Sequence, residues 1–159
     1  MESVVAVIKS APSIEQVYRD HADRLWRSVF AFAGDADIAS DSVAEAFAQA
    51  LRRGPALRDP AAWTWRAAFR IASGALKSRN AVLPRRAHSE QVDRYADPDL
   101  LAALRRLPEG QRAAVLLFYY EDLSVRDIAA RLGSNSLAVR ANLSRGRKRL
   151  RQHLGDDDG

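Results

Sequence analysis

EDLSVRDIAARLGSNSLAVRANLSRGRKRLRQHL, residues Glu121 to Leu154, decides how the rest of the chain is read. Ala129, Gly133 and Val139 carry the spacing of a helix-turn-helix. A small residue at Ala129 lets two helices approach. Gly133 ends the first of them, where a left-handed backbone costs least without a Cβ. Val139 drops from the second into a core shared with Ile128 and Leu132, and Asn135 or Ser136 caps that second helix. From Arg140 to Arg151 it carries six basic residues (Arg140, Arg145, Arg147, Lys148, Arg149, Arg151) and no acidic one. An exposed helix normally interleaves both signs, so this one is expected to meet a polyanion, and the motif presents it to a DNA major groove. Ser136, Leu137, Arg140, Ala141, Ser144 and Arg145 project outward near its N-terminal end. Ser136, Arg140 and Ser144 are the candidate base contacts. Arg145, Lys148 and Arg149 are placed for phosphates, which position without specifying.

Proline and glycine divide the remainder into helical blocks, and nothing alternates with a period of two, so the chain is predicted to be all-α. Ser13 and Gln16 form a capping-box pattern. After them Ile14, Val17, Tyr18, His21, Leu25, Val29 and Phe32 repeat at threes and fours until Gly34. A second helix, Asp37 to about Arg53, puts Ile38, Val43, Phe47 and Leu51 on one side and stops at Gly54-Pro55. A third opens at Asp59-Pro60, a cap followed by proline at the first helical position, and reaches about Arg79. Residues 80–98 lose the periodicity and read as a flexible linker. The expected organisation is an N-terminal tail (1–12), a helical domain (13–79), the linker (80–98), a helix-turn-helix domain (99–154) and an acidic tail (155–159).

Among 159 residues, 25 are basic and 20 acidic, a formal charge of +5. The excess is uneven: residues 99–155 hold eleven basic side chains against five acidic, which again favours a nucleic-acid partner for that half. The absence of cysteine excludes disulfides and cysteine-based zinc sites and permits a reducing cytoplasm. The N-terminus lacks the basic start and cleavage site of a signal peptide, and no apolar run approaches the ~20 residues of a membrane span. No histidine pair has metal-ligand spacing, and no phosphate loop or nucleophile elbow occurs. No metal, cofactor or catalytic role is therefore expected. His21, on the apolar face of the first helix, reads as a satisfied core histidine.

The string LRRLPEGQRAAVLLFYYEDLSVRDIAARLGSNSLAVRANLSRGRKRLRQHL resembles region 4 of a bacterial RNA polymerase sigma factor of the extracytoplasmic-function class. Leu107-Pro108, Arg112, Val115 to Phe118, Ile128-Ala129, Leu132-Gly133 and Val139 carry the likeness, over about a third of the chain. The N-terminal half is similar to region 2 of the same family. In the family's acidic, apolar helix that docks on the polymerase core, Asp41, Val43, Glu45 and Phe47 agree, while Ser42 and Ala44 stand in place of leucine and glutamine. In the tryptophan helix that engages the −10 element, Pro60, Trp63 and Ala68 agree. Ala67, Arg70, Gly74 and Lys77 differ from that pattern. Trp63, Trp65, Arg66, Phe69, Arg70 and Lys77 keep the helix aromatic and basic, suited to stacking on unpaired bases.

The resemblance implies an alternative sigma factor without catalysis of its own, acting in the cytoplasm. Its partners would be RNA polymerase core, promoter DNA and an anti-sigma factor. Asp41, Val43, Glu45 and Phe47 would bind core, the tryptophan helix the −10 region, and Ser136 to Arg149 the −35 region. Two other classes stay open. One is a helix-turn-helix regulator acting without polymerase, and the other a degenerate sigma-like adaptor that sequesters a regulator. Trp63 and Trp65 cannot share a helix face. Trp63, eight residues before Ile71, is expected to be the buried one, with Trp65 on the Phe69 side.

Overall fold

The computed structural model describes residues 11–82 and 97–157, and among the described residues every regular element is helical. Residues 1–10 of the expected N-terminal tail, most of the expected linker and the last two residues of the acidic tail thus lie outside the described residues. Helix α1 (Ile14–Ala33) starts where the Ser13 hydroxyl accepts from the Gln16 amide and ends at Gly34, whose φ of 70° is the left-handed cap. Only half of the capping box forms, because the Gln16 side chain turns to Asp20. Helix α2 (Ala36–Arg53) is capped by Asp35, whose carboxylate accepts from the Ile38 amide and pairs with Arg79. Helix α3 (Pro60–Val82) starts as the Asp59-Pro60 pair dictates, with Asp59 accepting from the Ala62 amide. These three helices pack into one bundle around Leu25, Val29, Phe32, Phe47, Trp65 and Phe69.

The second half begins with α4 (Pro98–Arg105), which repeats the aspartate-proline opening: Asp97 caps and Pro98 takes the first turn. Helix α5 (Glu109–Val115) continues into one wide π turn, Leu116–Tyr120. Helix α6 (Val125–Leu132) runs from the Ser124 cap to Gly133 at φ 65°. Helix α7 (Ser136–Asp157) extends past Leu154 into the acidic tail. Asn135 is the residue that caps it, its side chain accepting from the Ala138 amide.

Two features differ from a reading of each helix by its own period. Tyr18 and Leu51, on expected inner faces, are each 57% exposed, because Val17 and Ala50 take the buried positions beside them. The larger difference is that the halves are not separate. Phe32 and Phe69 of the first belong to the same apolar core as Leu117 and Ile128 of the second. Helix α6 lies along α3, and α1 touches both α4 and the π turn.

Candidate nucleic-acid interface

The turn from α6 to α7 is held by Gly133 and by Ser134, whose amide donates to the Ala129 carbonyl. Ile128, Val139 and Leu143 meet beneath it, all but fully buried. Gly146 lets α7 press closest to α5, since a Cβ there would stand 2.7 Å from Val115 Cγ2 and 3.5 Å from the Gln111 carbonyl. With that side of α7 spent on packing, the helical period turns Leu137, Arg140, Ala141, Ser144 and Lys148 to the other. Leu137 is 78% exposed; Arg140, Ser144, Arg145, Lys148 and Arg149 are exposed, and Ser136 and Ala141 half-buried. Arg147 is turned away. Its guanidinium donates to the Leu143 carbonyl and the Tyr119 hydroxyl and lies over the Phe118 and Tyr119 rings. Among the described residues, the exposed outer face of α7 up to Arg151 is therefore cationic and polar with no carboxylate.

On α3 the two tryptophans exchange the places expected of them. Trp65 is fully buried and Trp63 half-buried with Arg53 over its ring. The reason is the stripe Trp65, Ala68, Phe69, Ala72, Leu76, spaced at threes and fours and all buried, against which Trp63 falls to the side. Trp65 stacks toward Phe69 at 6.4 Å, and its indole N–H donates to His21 Nδ1 at 3.1 Å. His21 is thus the satisfied histidine that its position implied. Burial, followed by the Arg131 and Arg24 charges, lowers its pKa below the ordinary histidine value, with Asp20 and Asp59 opposing. Arg66, Arg70 and Lys77 are exposed along the same helix. They line one wall of a cleft of about 580 Å³ whose other wall is Gly133, Ser134 and Asn142 of the helix-turn-helix.

On α2, Val43 and Phe47 point into the bundle, and Asp41 and Glu45 point out. Glu45 is met by Gln49 and Arg52, each at 3.1 Å, and these contacts lower its pKa. Ser42, where the family has leucine, is buried and so lies behind the acidic face, whereas Ala44 is exposed on it.

The contacts that join the halves had no sequence signal. Glu121 accepts from the Ser28 hydroxyl at 3.0 Å and faces Arg24 at 4.0 Å. The Arg131 guanidinium lies over the Trp65 ring, 4.6 Å from its centroid, and Arg112 lies over Phe32 at 4.8 Å. Ser73 bonds Glu109, and Arg105 reaches the Gly34 carbonyl. Taken singly in sequence, each of these polar residues reads as solvated surface. No described helix is long and apolar enough to cross a membrane, and the described residues hold no cluster of potential metal ligands.

Residues 98–150 match the family described as sigma-70, region 4. The chain is 29% identical to the RNA polymerase sigma factor SigV of Bacillus subtilis, over 87% of this chain and 89% of that one. It is 32% identical to the ECF RNA polymerase sigma factor SigE of Mycolicibacterium smegmatis, over 90% of this chain and 62% of that longer protein. Its fold is similar to two solved structures. One is the sigma factor RpoE bound to the anti-sigma factor NepR from Bartonella quintana (TM-score 0.72, 20% identity, 89% of this chain and 96% of that one). The other is CnrH bound to the cytosolic domain of CnrY (TM-score 0.71, 23% identity, 92% and 89%).

Proposed function

We propose that this chain, which belongs to the extracytoplasmic-function class of RNA polymerase sigma factors, binds polymerase core and directs initiation at promoters that carry both a −35 and a −10 element. The observation that carries the reading is the outer face of α7 up to Arg151, cationic and free of carboxylates, held out by a packed helix-turn-helix. Ser136, Leu137, Arg140, Ala141 and Ser144 read base edges in the major groove, and Arg145, Lys148 and Arg149 hold phosphates. On α3, Trp63, Arg66, Arg70 and Lys77 meet the −10 region, with Trp65 and Phe69 behind them. Asp41 and Glu45 offer charge to a basic surface of core, and Val43 and Phe47 act through the packing that holds α2 in place. The chain works by binding rather than by catalysis, in the cytoplasm where polymerase is. Its regulator is an anti-sigma protein. The apolar groove of about 490 Å³ between Leu100, Leu104, Tyr119, Leu150 and Leu154 suits an amphipathic helix of such a partner.

Run-off transcription from a genomic promoter library, with bacterial core polymerase and with or without this protein, tests the reading. Transcripts that require the protein, sharing two upstream elements at a fixed spacing, are expected. DNA binding without core and without new transcripts would replace it by the helix-turn-helix regulator. Neither activity would leave the adaptor.

A further inference from the structure

The outer side of α7 is charged along its edges and apolar at one end of its crest. Val139, Leu143 and Gly146 are buried on the inner side, with Leu150 packed against the same core. At about 100° per residue, Leu137, Ala141, Ser144 and Lys148 fall on one narrow strip roughly opposite. Arg140 and Arg151 flank that strip on one side, Arg145 and Arg149 on the other, all four exposed. The strip therefore leads into a groove while the arginines straddle it. From its N-terminal end it reads leucine, alanine, serine, lysine.

Among the described residues no large apolar side chain is as exposed as Leu137. A single exposed leucine elsewhere would need no account; this one stands at the end of a reading helix that reaches base edges. Ala141, one turn on and half-buried, places its Cβ about 5–6 Å away on the same strip. The two side chains bound a shallow apolar notch that offers no hydrogen bond. The edges that base pairs present in the major groove are donors and acceptors, except for the 5-methyl of thymine. Against a polar edge the notch would displace water and return no hydrogen bond, which costs free energy. Against a methyl it removes apolar surface from water on both sides.

We propose that the notch between Leu137 and Ala141 takes the 5-methyl group of a thymine in the −35 element, so that one base pair is specified by an apolar contact. This rests on the assignment of α7 to the −35 element in the proposed function and adds what the crest of the helix recognises. Charge on the flanking arginines holds the backbone, and the notch rejects pairs that would leave a polar edge dry.

The strongest promoter from the run-off library is prepared with each −35 thymine replaced singly by deoxyuridine, which keeps the pairing and removes only the methyl. Holoenzyme binding to these duplexes is measured with the parent, Leu137→Ala and Arg140→Ala, and thermal unfolding checks that the variants are folded. One replacement should weaken the parent about fourfold, the effect of one buried methyl group. Leu137→Ala should bind the thymine promoter at least as weakly as the parent binds that uracil promoter, and should lose little more from the same replacement. Its salt slope should equal the parent's, because a methyl contact releases no counterion, whereas a displaced helix would change it. Arg140→Ala should still respond to the replacement. A −35 element without an A·T pair overturns the contact and leaves α7 on that element. So does binding that ignores every replacement while Arg140→Ala still impairs it. A replacement that costs the parent and Leu137→Ala equally takes the methyl away from Leu137. No transcript that requires the protein removes the assignment of α7 and this contact together.

Discussion

Glycine to alanine at two helical positions should change stability in opposite directions, and the structure sets both signs. In a helix interior alanine is favoured over glycine by about 1 kcal/mol, because the glycine backbone loses more freedom on folding. Gly74, in α3, has nothing within 4 Å of where a Cβ would stand, so Gly74→Ala should gain most of that amount. Gly146 in α7 has the same intrinsic preference, but its Cβ would stand 2.7 Å from Val115 Cγ2. Val115 is buried and β-branched, with one favoured rotamer in a helix, so it has little room to give. Overpacking of this kind costs roughly 1–3 kcal/mol, which exceeds the propensity gain. Gly146→Ala should therefore destabilise by about 1 kcal/mol, with ~2 as the upper end once the gain is subtracted. For a chain of this size each kcal/mol moves the Tm by roughly 2–4 °C. Thermal and urea unfolding of both variants, and of Val115→Ala alone and with Gly146→Ala, measure it. The double variant should lose less than the sum of the singles, because the smaller side chain makes room for the methyl. If Gly146→Ala raised the Tm as Gly74→Ala does, or if the cycle showed no coupling, α7 would not press on α5 this closely and the stance of the reading helix would need another explanation.

Below about pH 6.5, the ordinary histidine value, the unfolded chain takes up a proton at His21. The folded chain resists, because burial and the nearby arginines lower that pKa and the Trp65 N–H needs the neutral Nδ1. The contribution of His21 is thus complete above that pH and lost as pH falls through the lowered folded value; denaturant unfolding at pH 7.5 and 5.5 should show a smaller loss in His21→Gln than in the parent. Arg140→Ala should relax base preference at one −35 position by about 1–3 kcal/mol, and Lys148→Ala should weaken binding to all sequences alike and reduce the salt slope by roughly 0.9; promoter titrations of the holoenzyme at several salt concentrations separate them. An Arg140→Ala holoenzyme with unaltered promoter preference would remove Arg140 from the base-reading set.

The fold was legible wherever a signal is local. Asp59-Pro60, Ser13, Gly34 and Gly133 mark helix ends through backbone chemistry that acts within one turn, and the structure uses each of them. Asp97-Pro98 carries the same signature as Asp59-Pro60 and starts a helix in the same way, although the loss of periodicity before it reads as linker up to Pro98. The exchange of Trp63 and Trp65 was legible too, in the stripe that continues from Trp65 through Leu76. Two residues on adjacent faces are ranked by the longer run to which each belongs, not by one partner eight residues on.

The sequence by itself determined an all-helical chain, a helix-turn-helix and a second helix whose outer face is cationic, since these follow from period, caps and composition within a single element. The tertiary structure alone decided that Arg147 is held by Tyr119, and that Arg131 and Glu121 join one half to the other. The seam is made by polar and charged side chains far apart in the chain, each of which alone is indistinguishable from solvated surface. What fixes their role is the partner that packing brings to them.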